Sequence, residues 1–96
     1  MMTHFLKISS KHFSEIAAGH KMTEFMKKDR DFKMGDTVCF LELADDGNLL
    51  TGRMMEVRLD SVLGVSHVDF KDEYCAFIVH VLTIGTANHD MIIDIN

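Results

Sequence analysis

Residues 45–48, with the sequence Asp-Asp-Gly-Asn, separate two apolar segments and constrain the fold more than any other part of the chain. Asp-Gly and Gly-Asn steps tolerate the positive φ angles of tight hairpin turns, so this tetrapeptide predicts a β-hairpin. Residues 37–43 before the turn are almost wholly apolar, as in a strand that is buried on both faces. Residues 49–60 after the turn form the predicted return strand, and Gly52 within it indicates a bulge or bend.

Alternating apolar residues mark the faces of the return strand and predict further strands. Met55, Val57 and Leu59 are expected to point to one face of the return strand, and Met54, Glu56 and Arg58 to the other. Three more segments have the short apolar pattern of strands. These are residues 3–9, 21–27 and 74–84.

The remaining connections carry weaker patterns. Residues 61–73 predict a loop with one turn of helix, and residues 85–89 predict a break. Residues 91–95 are consistent with a final edge strand or an ordered tail.

Residues 10–18 predict one helix, because their apolar residues recur at i, i+3 and i+4. This stripe consists of Phe13, Ile16 and Ala17. Ser9 or Ser10 can cap its first turn by accepting a hydrogen bond from an unpaired N–H group. Gly19 is suited to end it in the left-handed conformation.

Together these elements predict an α+β fold: a small, curved, mostly antiparallel β-barrel with one main helix near the N-terminus. At 96 residues, the chain is expected to form a single domain. We expect its core over residues 3–84 and a C-terminal extension over residues 85–96.

The segment 19–36 concentrates positive charge in a chain that is acidic overall. Its basic residues are Lys21, Lys27, Lys28, Arg30 and Lys33. The formal net charge of −5 argues against indiscriminate binding to nucleic-acid backbone, which requires an excess of cations. A local basic groove on an acidic body is compatible with this charge. We therefore interpret the segment as the floor and lip of a cleft.

The cysteines and histidines indicate neither a disulfide framework nor a metal site. Cys39 and Cys75 lie within apolar strand patterns and lack CxxC spacing, which predicts two reduced, buried thiols and a cytoplasmic protein. The six histidines form no metal-ligand spacing, so no metal or cofactor is predicted. His80, inside a predicted strand, is expected to be a hydrogen-bonded core residue. The sequence has neither a membrane-spanning run nor a secretion signal pattern, so no membrane partner is expected.

Three ordered pieces of the sequence resemble the motifs of a known domain family. Residues 4–8 read His-Phe-Leu-Lys-Ile, residues 19–36 read GHKMTEFMKKDRDFKMGD, and residues 51–53 read Thr-Gly-Arg. They resemble the motifs "H-x-L-K-I", "G-K-K-x-x-E-x-R-x-x-D-R-x-F-x-x-G-D" and "T-G-R". These belong to a small phage and bacterial subfamily of ASCH domains, in the PUA-like superfamily. The resemblance runs from residue 4 to about residue 84.

This resemblance implies a PUA-like barrel that binds RNA or a modified nucleoside in a cleft beside the helix. The chain departs from the subfamily pattern at three positions. His20 replaces the usual Lys, Met22 stands where many ASCH domains have Thr, and Met26 replaces the usual Arg. Each departure removes charge or polarity from the expected cleft.

Our first functional hypothesis is an RNA- or nucleotide-binding module that is a monomer or a weak dimer, and the resemblance is compatible with a phage origin. The predicted ligand-binding residues are Lys7, Lys21, Glu24, Lys27, Arg30, Arg53 and Tyr74. Basic side chains can neutralise phosphate or pair with base edges, and Arg offers a bidentate fork. Phe25 or Tyr74 can supply a face on which a base stacks.

Two alternatives come from other functional classes. One ASCH branch resembles an amidohydrolase of acylated nucleosides, and this likeness implies Lys21 as the catalytic amine, with Glu24 beside it as a general base. The other alternative is a protein-binding inhibitor or regulator of a host factor, since a fold does not determine function. Its binding surface would be acidic, formed by Glu42, Asp45, Asp46, Asp60, Asp69, Asp72 and Glu73.

Overall fold

Five β-strands and one helix make up the described part of the protein, which covers residues 1–19, 22–27, 31–47, 49–64 and 74–86 of the computed structural model. The elements are β1 (Thr3–Ser9), α1 (Ser10–Ala17), β2 (Thr23–Lys27), β3 (Thr37–Leu43), β4 (Leu50–Gly64) and β5 (Tyr74–Thr86). The strands form one sheet in the order β1-β3-β4-β5-β2. β1 pairs with β3 in parallel, and every other pairing is antiparallel. The sheet curls into a half-barrel with α1 packed against it, which confirms a mostly stranded α+β fold.

The inner face of the sheet, defined here as the face that carries the core, packs against α1. Side chains alternate along each strand, so every second residue points to this face. The core residues on the sheet are Leu6, Ile8, Val38, Phe40, Met55, Val57, Leu59, Cys75, Phe77 and Val79. Phe13 and Ile16 of α1 complete the core and are almost entirely buried. Met55, Val57 and Leu59 share one face as predicted, and this face points to the core; the predicted helical stripe is also confirmed.

Helix α1 begins and ends at the residues that its caps predict. The Ser9 hydroxyl accepts a hydrogen bond from the His12 N–H at 3.3 Å. Gly19 has a φ of 77° and donates its N–H to the Ile16 carbonyl at 3.0 Å. An isolated helix of this length is marginal in water. Its stability therefore depends on the burial of Phe13 and Ile16 against the sheet.

The predicted hairpin joins β3 and β4. The Ala44 N–H donates to the Leu49 carbonyl at 2.7 Å, and Gly47 has a φ of 78°. Asn48 lies outside the described residues. The predicted irregularity at Gly52 is also confirmed, since this residue has a φ of 94° in β4.

Two strands are longer than the sequence pattern predicts, and two predictions of irregular structure were wrong in part. Residues 61–64 belong to β4 because they pair with β5, for example Val62 with Phe77. Gly85 and Thr86 likewise extend β5 by pairing with β4. The predictions for residues 65–73 and 87–96 lie outside the described residues.

The prediction that His80 belongs to the core was wrong. His80 is exposed and lies opposite Arg58 on the outer face of the sheet. Its neighbour Val79 points inward and is 1% exposed, so the alternation of the strand places His80 outside.

β3 is buried on both faces, as its apolar sequence predicts. Val38 and Phe40 face the core, while Cys39 and Leu41 point to the outer face and are also buried. Cys39 and Cys75 are both buried and form no disulfide, as predicted. In the described part of the chain, no helix has the length and apolar character needed to cross a lipid bilayer.

Candidate functional site

Two buried carboxylates lie on the inner face of the sheet. Glu42 in β3 is 3% exposed and Glu24 in β2 is 4% exposed. Their positions follow from strand register, because Glu42 is paired with Ile8 and Glu24 with Phe77, both of which are core residues. The prediction that Glu42 forms part of an acidic outer surface was therefore wrong. A buried carboxylate is costly unless it is hydrogen-bonded and paired with a cation.

Glu42 meets this requirement through three donors from two parts of the chain. Its Oε1 accepts a hydrogen bond from the Thr51 hydroxyl at 2.7 Å. Its Oε2 accepts one from the Ser10 hydroxyl at 3.2 Å and one from Arg53 Nη1 at 3.4 Å. Glu42 therefore joins the first turn of α1 to the beginning of β4.

Arg53 is held at this carboxylate and also lies over an aromatic ring. The carbon atom at the centre of its guanidinium is 4.7 Å from the centroid of the Phe13 ring, a cation–π contact. The Arg53 side chain nevertheless remains 48% exposed. The Thr51 hydroxyl also accepts the Arg53 backbone N–H at 3.1 Å, which fixes the start of the side chain. An accessible cation is thus presented in a defined orientation.

Glu24 also lies next to α1. Its Oε1 is 3.5 Å from Nδ1 of His12, whose side chain is 43% exposed. This contact links α1 to β2 at the edge of the sheet. A carboxylate that contacts a partly exposed imidazole is an arrangement suited to proton transfer.

A second polar cluster lies at the opposite end of β1. His4 Nε2 is 2.8 Å from Asp36 Oδ2, and both residues are buried. Asp36 also accepts hydrogen bonds from the backbone N–H groups of Met2 and Lys33. The His4 hydrogen bond, followed by the backbone bonds, lowers the pKa of the Asp36 carboxyl from 3.8 to about 2. Phe32 packs against this cluster, with its ring centroid 4.7 Å from that of His4.

These contacts give the sequence motifs a structural meaning. His4 from the first motif contacts Asp36 and Phe32 from the second. Thr51 and Arg53 from the third bind the same carboxylate, Glu42. Residues that are far apart in the sequence therefore stabilise the junctions of β1, β3 and β4.

Only some of the predicted ligand-binding residues lie on the same face of the sheet. Glu24 and Arg53 lie on the inner face, whereas Lys7 is exposed and pairs with Leu41 on the outer face. Lys27 and Tyr74 pair with each other at the ends of β2 and β5, and their side chains lie outside the described part of the structure. Lys21 and Arg30 lie entirely outside it.

The other described cations lie elsewhere. Lys33 is 3.6 Å from Asp31, and both side chains are largely exposed. Arg58 points to the outer face and donates through Nε to Asp60 at 2.9 Å. Among the described Lys and Arg side chains of the sheet, Arg53 is the one that lies on the inner face.

Sequence reasoning missed Ser10, Glu42 and Thr51 as members of the site. Glu42 carried a usable signal, because it is the single charged residue in the strand sequence TVCFLEL. A lone carboxylate in a strand expected to be buried on both faces indicates partners elsewhere in the chain. Among the described residues, no group of three or more His, Cys, Asp or Glu side chains is arranged to hold a metal ion.

Comparison with known proteins places these features in a family. A family model described as a domain of unknown function, DUF3850, matches residues 3–82. The chain belongs to this family. The match begins at the first residue of β1 and ends within β5, so it includes both polar clusters.

A relative from Escherichia phage P2, described as "Uncharacterized 12.9 kDa protein in GpA 3'region", is 35% identical over 71 residues. This match covers 74% of the present chain and 62% of the relative. The chain therefore spans less than two thirds of the length of this phage relative.

Proposed function

We propose that this chain is an ASCH-like, PUA-like module that binds a nucleotide or single-stranded RNA at Arg53, on the inner face of the half-barrel. The family assignment is to DUF3850, and the relation to ASCH domains rests on the three motifs of the sequence. The curled sheet with a helix on its inner face is compatible with that relation.

One observation carries the proposal. Arg53 is oriented by Glu42 and by the Phe13 ring, yet its side chain is half exposed. A guanidinium has five N–H donors, and the described bond to Glu42 uses one of them. The remaining donors have the geometry that binds phosphate oxygens or base edges. A surface cation without a ligand role does not need this degree of positioning.

The test is a titration with short single-stranded RNA at increasing salt concentration. Affinity should fall with a slope of about −0.7 per phosphate contact on a double-logarithmic plot. Arg53→Gln removes the charge but keeps an amide that can donate to Glu42. We expect this variant to bind more weakly and to have a smaller slope, by about 0.7 if one contact is lost.

Arg58→Gln is a matched control, because the Arg58 side chain is also 48% exposed and also pairs with a carboxylate, but on the outer face. This control should bind RNA as the unmodified protein does. An equal effect of both substitutions would mean that nonspecific charge, and not the inner-face site, determines binding. Complete absence of salt-dependent RNA binding would favour the alternative of a protein partner.

The contact between Glu24 and His12 supports a second candidate, the amidohydrolase. The buried Glu24 carboxylate and the accessible His12 imidazole are 3.5 Å apart and could together accept a proton from an attacking group. Incubation with N-acylated cytidine should then release deacylated cytidine, and Glu24→Gln should abolish the reaction. Failure of the unmodified protein to form product would remove this candidate without affecting the binding proposal.

A further inference from the structure

Ile84 is exposed although it lies on the inner face of the sheet. It pairs with Met55 across β4 and β5, and Met55 is completely buried. Paired residues of antiparallel strands point to the same face, so Ile84 shares the face that carries the core. Nevertheless, 45% of Ile84 is accessible. The described residues therefore leave the inner face open at this end of β5.

Arg53 lies at the same opening. It pairs with Thr86, and the register from Arg53–Thr86 to Met55–Ile84 is continuous. Ile84 and Arg53 are therefore diagonal neighbours on the same face of the sheet. The Cβ atoms of such neighbours are about 7 Å apart or less. A half-exposed apolar side chain thus lies beside the half-exposed side chain of Arg53.

We propose that Ile84 contacts the base of a nucleotide whose phosphate binds Arg53. This inference rests on the proposed function and names the part of the site that distinguishes a nucleotide from a simple phosphate. A single exposed apolar residue is common on protein surfaces. The position of Ile84 is unusual because a cation oriented by Phe13 and Glu42 lies next to it. A nucleotide joins an anionic phosphate to a flat base with apolar faces, and these two parts match the neighbouring side chains.

The assignment also differs from the expectation that Phe25 or Tyr74 supplies the stacking face. Ile84 offers an aliphatic contact, which recognises any base because it uses no hydrogen bonds. A base should therefore strengthen binding without a strong preference for one base over another. Ile84 was not among the predicted site residues.

The chain provides a matched pair of residues for the experiment. Ile78 belongs to the same strand and is 41% exposed, but it lies on the outer face, opposite Thr23 of β2. Ile84→Ser and Ile78→Ser remove the same apolar surface from opposite faces. Both positions are accessible, and the denaturation midpoint of each variant confirms that it remains folded.

Binding is measured by fluorescence anisotropy with two labelled probes. One is a short single-stranded RNA, and the other is an abasic ribose-phosphate oligomer of the same length. We expect Ile84→Ser to lower the affinity for RNA about 5-fold or more, while the affinity for the abasic oligomer is unchanged. Ile78→Ser should affect neither probe. Arg53→Gln should weaken the binding of both probes, because both carry phosphate.

A gain-of-function variant gives an independent measurement. Ile84→Tyr places an aromatic ring at the same position, and aromatic residues are well tolerated in strands. It should tighten RNA binding about 5-fold or more through base stacking, without any change for the abasic oligomer.

The outcomes separate this inference from the proposed function. If the Ile84 variants bind RNA as the unmodified protein does while Arg53→Gln weakens binding, the assignment of Ile84 is wrong and the proposed function stands. If Arg53→Gln leaves the binding of both probes unchanged, or if neither probe binds, both proposals are wrong.

Discussion

His4 Nε2 and Asp36 Oδ2 lie 2.8 Å apart in the interior of the protein, 32 residues from each other in sequence. The pair joins the beginning of β1 to the residue before β3, where the backbone of Thr37 also donates to the Met2 carbonyl. Two parallel strands cannot be connected by a tight turn. This contact therefore helps to fix the register between two strands that α1 and β2 separate along the chain.

Asp36→Asn should destabilise the fold and change its pH dependence. The pKa of Asp36 is lowered from 3.8 to about 2, so the folded state binds this proton more weakly than the unfolded state does. The carboxylate consequently stabilises the fold above about pH 4, and this contribution is lost as the pH falls towards about 2. Urea denaturation midpoints at several pH values in this range measure the effect. At neutral pH the variant should have a lower denaturation midpoint than the unmodified protein. Its midpoint should fall less between about pH 4 and about pH 2.

Asp60→Asn is the control for this experiment, because Asp60 pairs with Arg58 at a site where both side chains are partly exposed. Its denaturation profile should resemble that of the unmodified protein. Equal acid sensitivity of Asp36→Asn and the unmodified protein would contradict the assigned role of the His4–Asp36 pair.

Glu42→Gln should cost about 1–3 kcal/mol of unfolding free energy, because it weakens bonds to three donors in a buried site. Gln keeps nearly the same shape but replaces one acceptor oxygen by an NH₂ group. That group cannot accept from Thr51, Ser10 or Arg53. Glu56→Gln, at a half-buried position on the outer face, serves as the comparison and should change the free energy by no more than about 0.5 kcal/mol. Equal unfolding curves for the two variants would show that Glu42 is not the junction between α1 and β4.

The strands and the helix were largely predictable because their signals are local. A capping serine, a glycine with positive φ and the Asp-Gly turn each determine a boundary within a few residues of themselves. The end of β4 was not predictable in this way. Residues 61–64 carry a weak strand pattern, and they form a strand because β5 provides pairing partners. Such pairing is a property of the whole sheet.

The candidate site was less predictable than the fold, because side-chain direction depends on register. Lys7 and Glu24 were expected in one cleft, but Lys7 points to the outer face and Glu24 to the inner face. Charge alone suggested that Glu42 was on the surface. It is buried because residues 10, 51 and 53 converge on it, and this convergence is visible only once the strands are placed.

Gly52→Ala should destabilise the protein by about 1–3 kcal/mol, whereas Gly85→Ala should be nearly neutral. Gly52 has a φ of +94°, which residues with a Cβ atom rarely adopt. A Cβ atom added at this position would have Thr86 Cγ2 as its nearest neighbour, at an ordinary van der Waals distance of 3.9 Å. The expected cost is therefore backbone strain and not a steric clash. Gly85 lies in the paired strand without a positive φ, and a Cβ atom there would meet nothing within 4 Å. Thermal or urea unfolding of the two variants measures the difference, and equal effects would refute the strain argument.

The two thiols should be unreactive in the folded protein. Cys39 is 2% exposed and Cys75 is 1% exposed. Burial, and to a lesser extent the negative charge of Glu56, raises the pKa of the Cys39 thiol. Because the thiolate is the nucleophile, a raised pKa leaves less reactive thiolate at any given pH. A chromogenic thiol reagent at about pH 8 should therefore label neither cysteine rapidly until denaturant is added, after which both should react. Glu56→Gln should increase the native labelling rate only slightly, since burial is the larger cause. Rapid labelling of Cys39 in the folded protein would show that β3 is not covered on both faces.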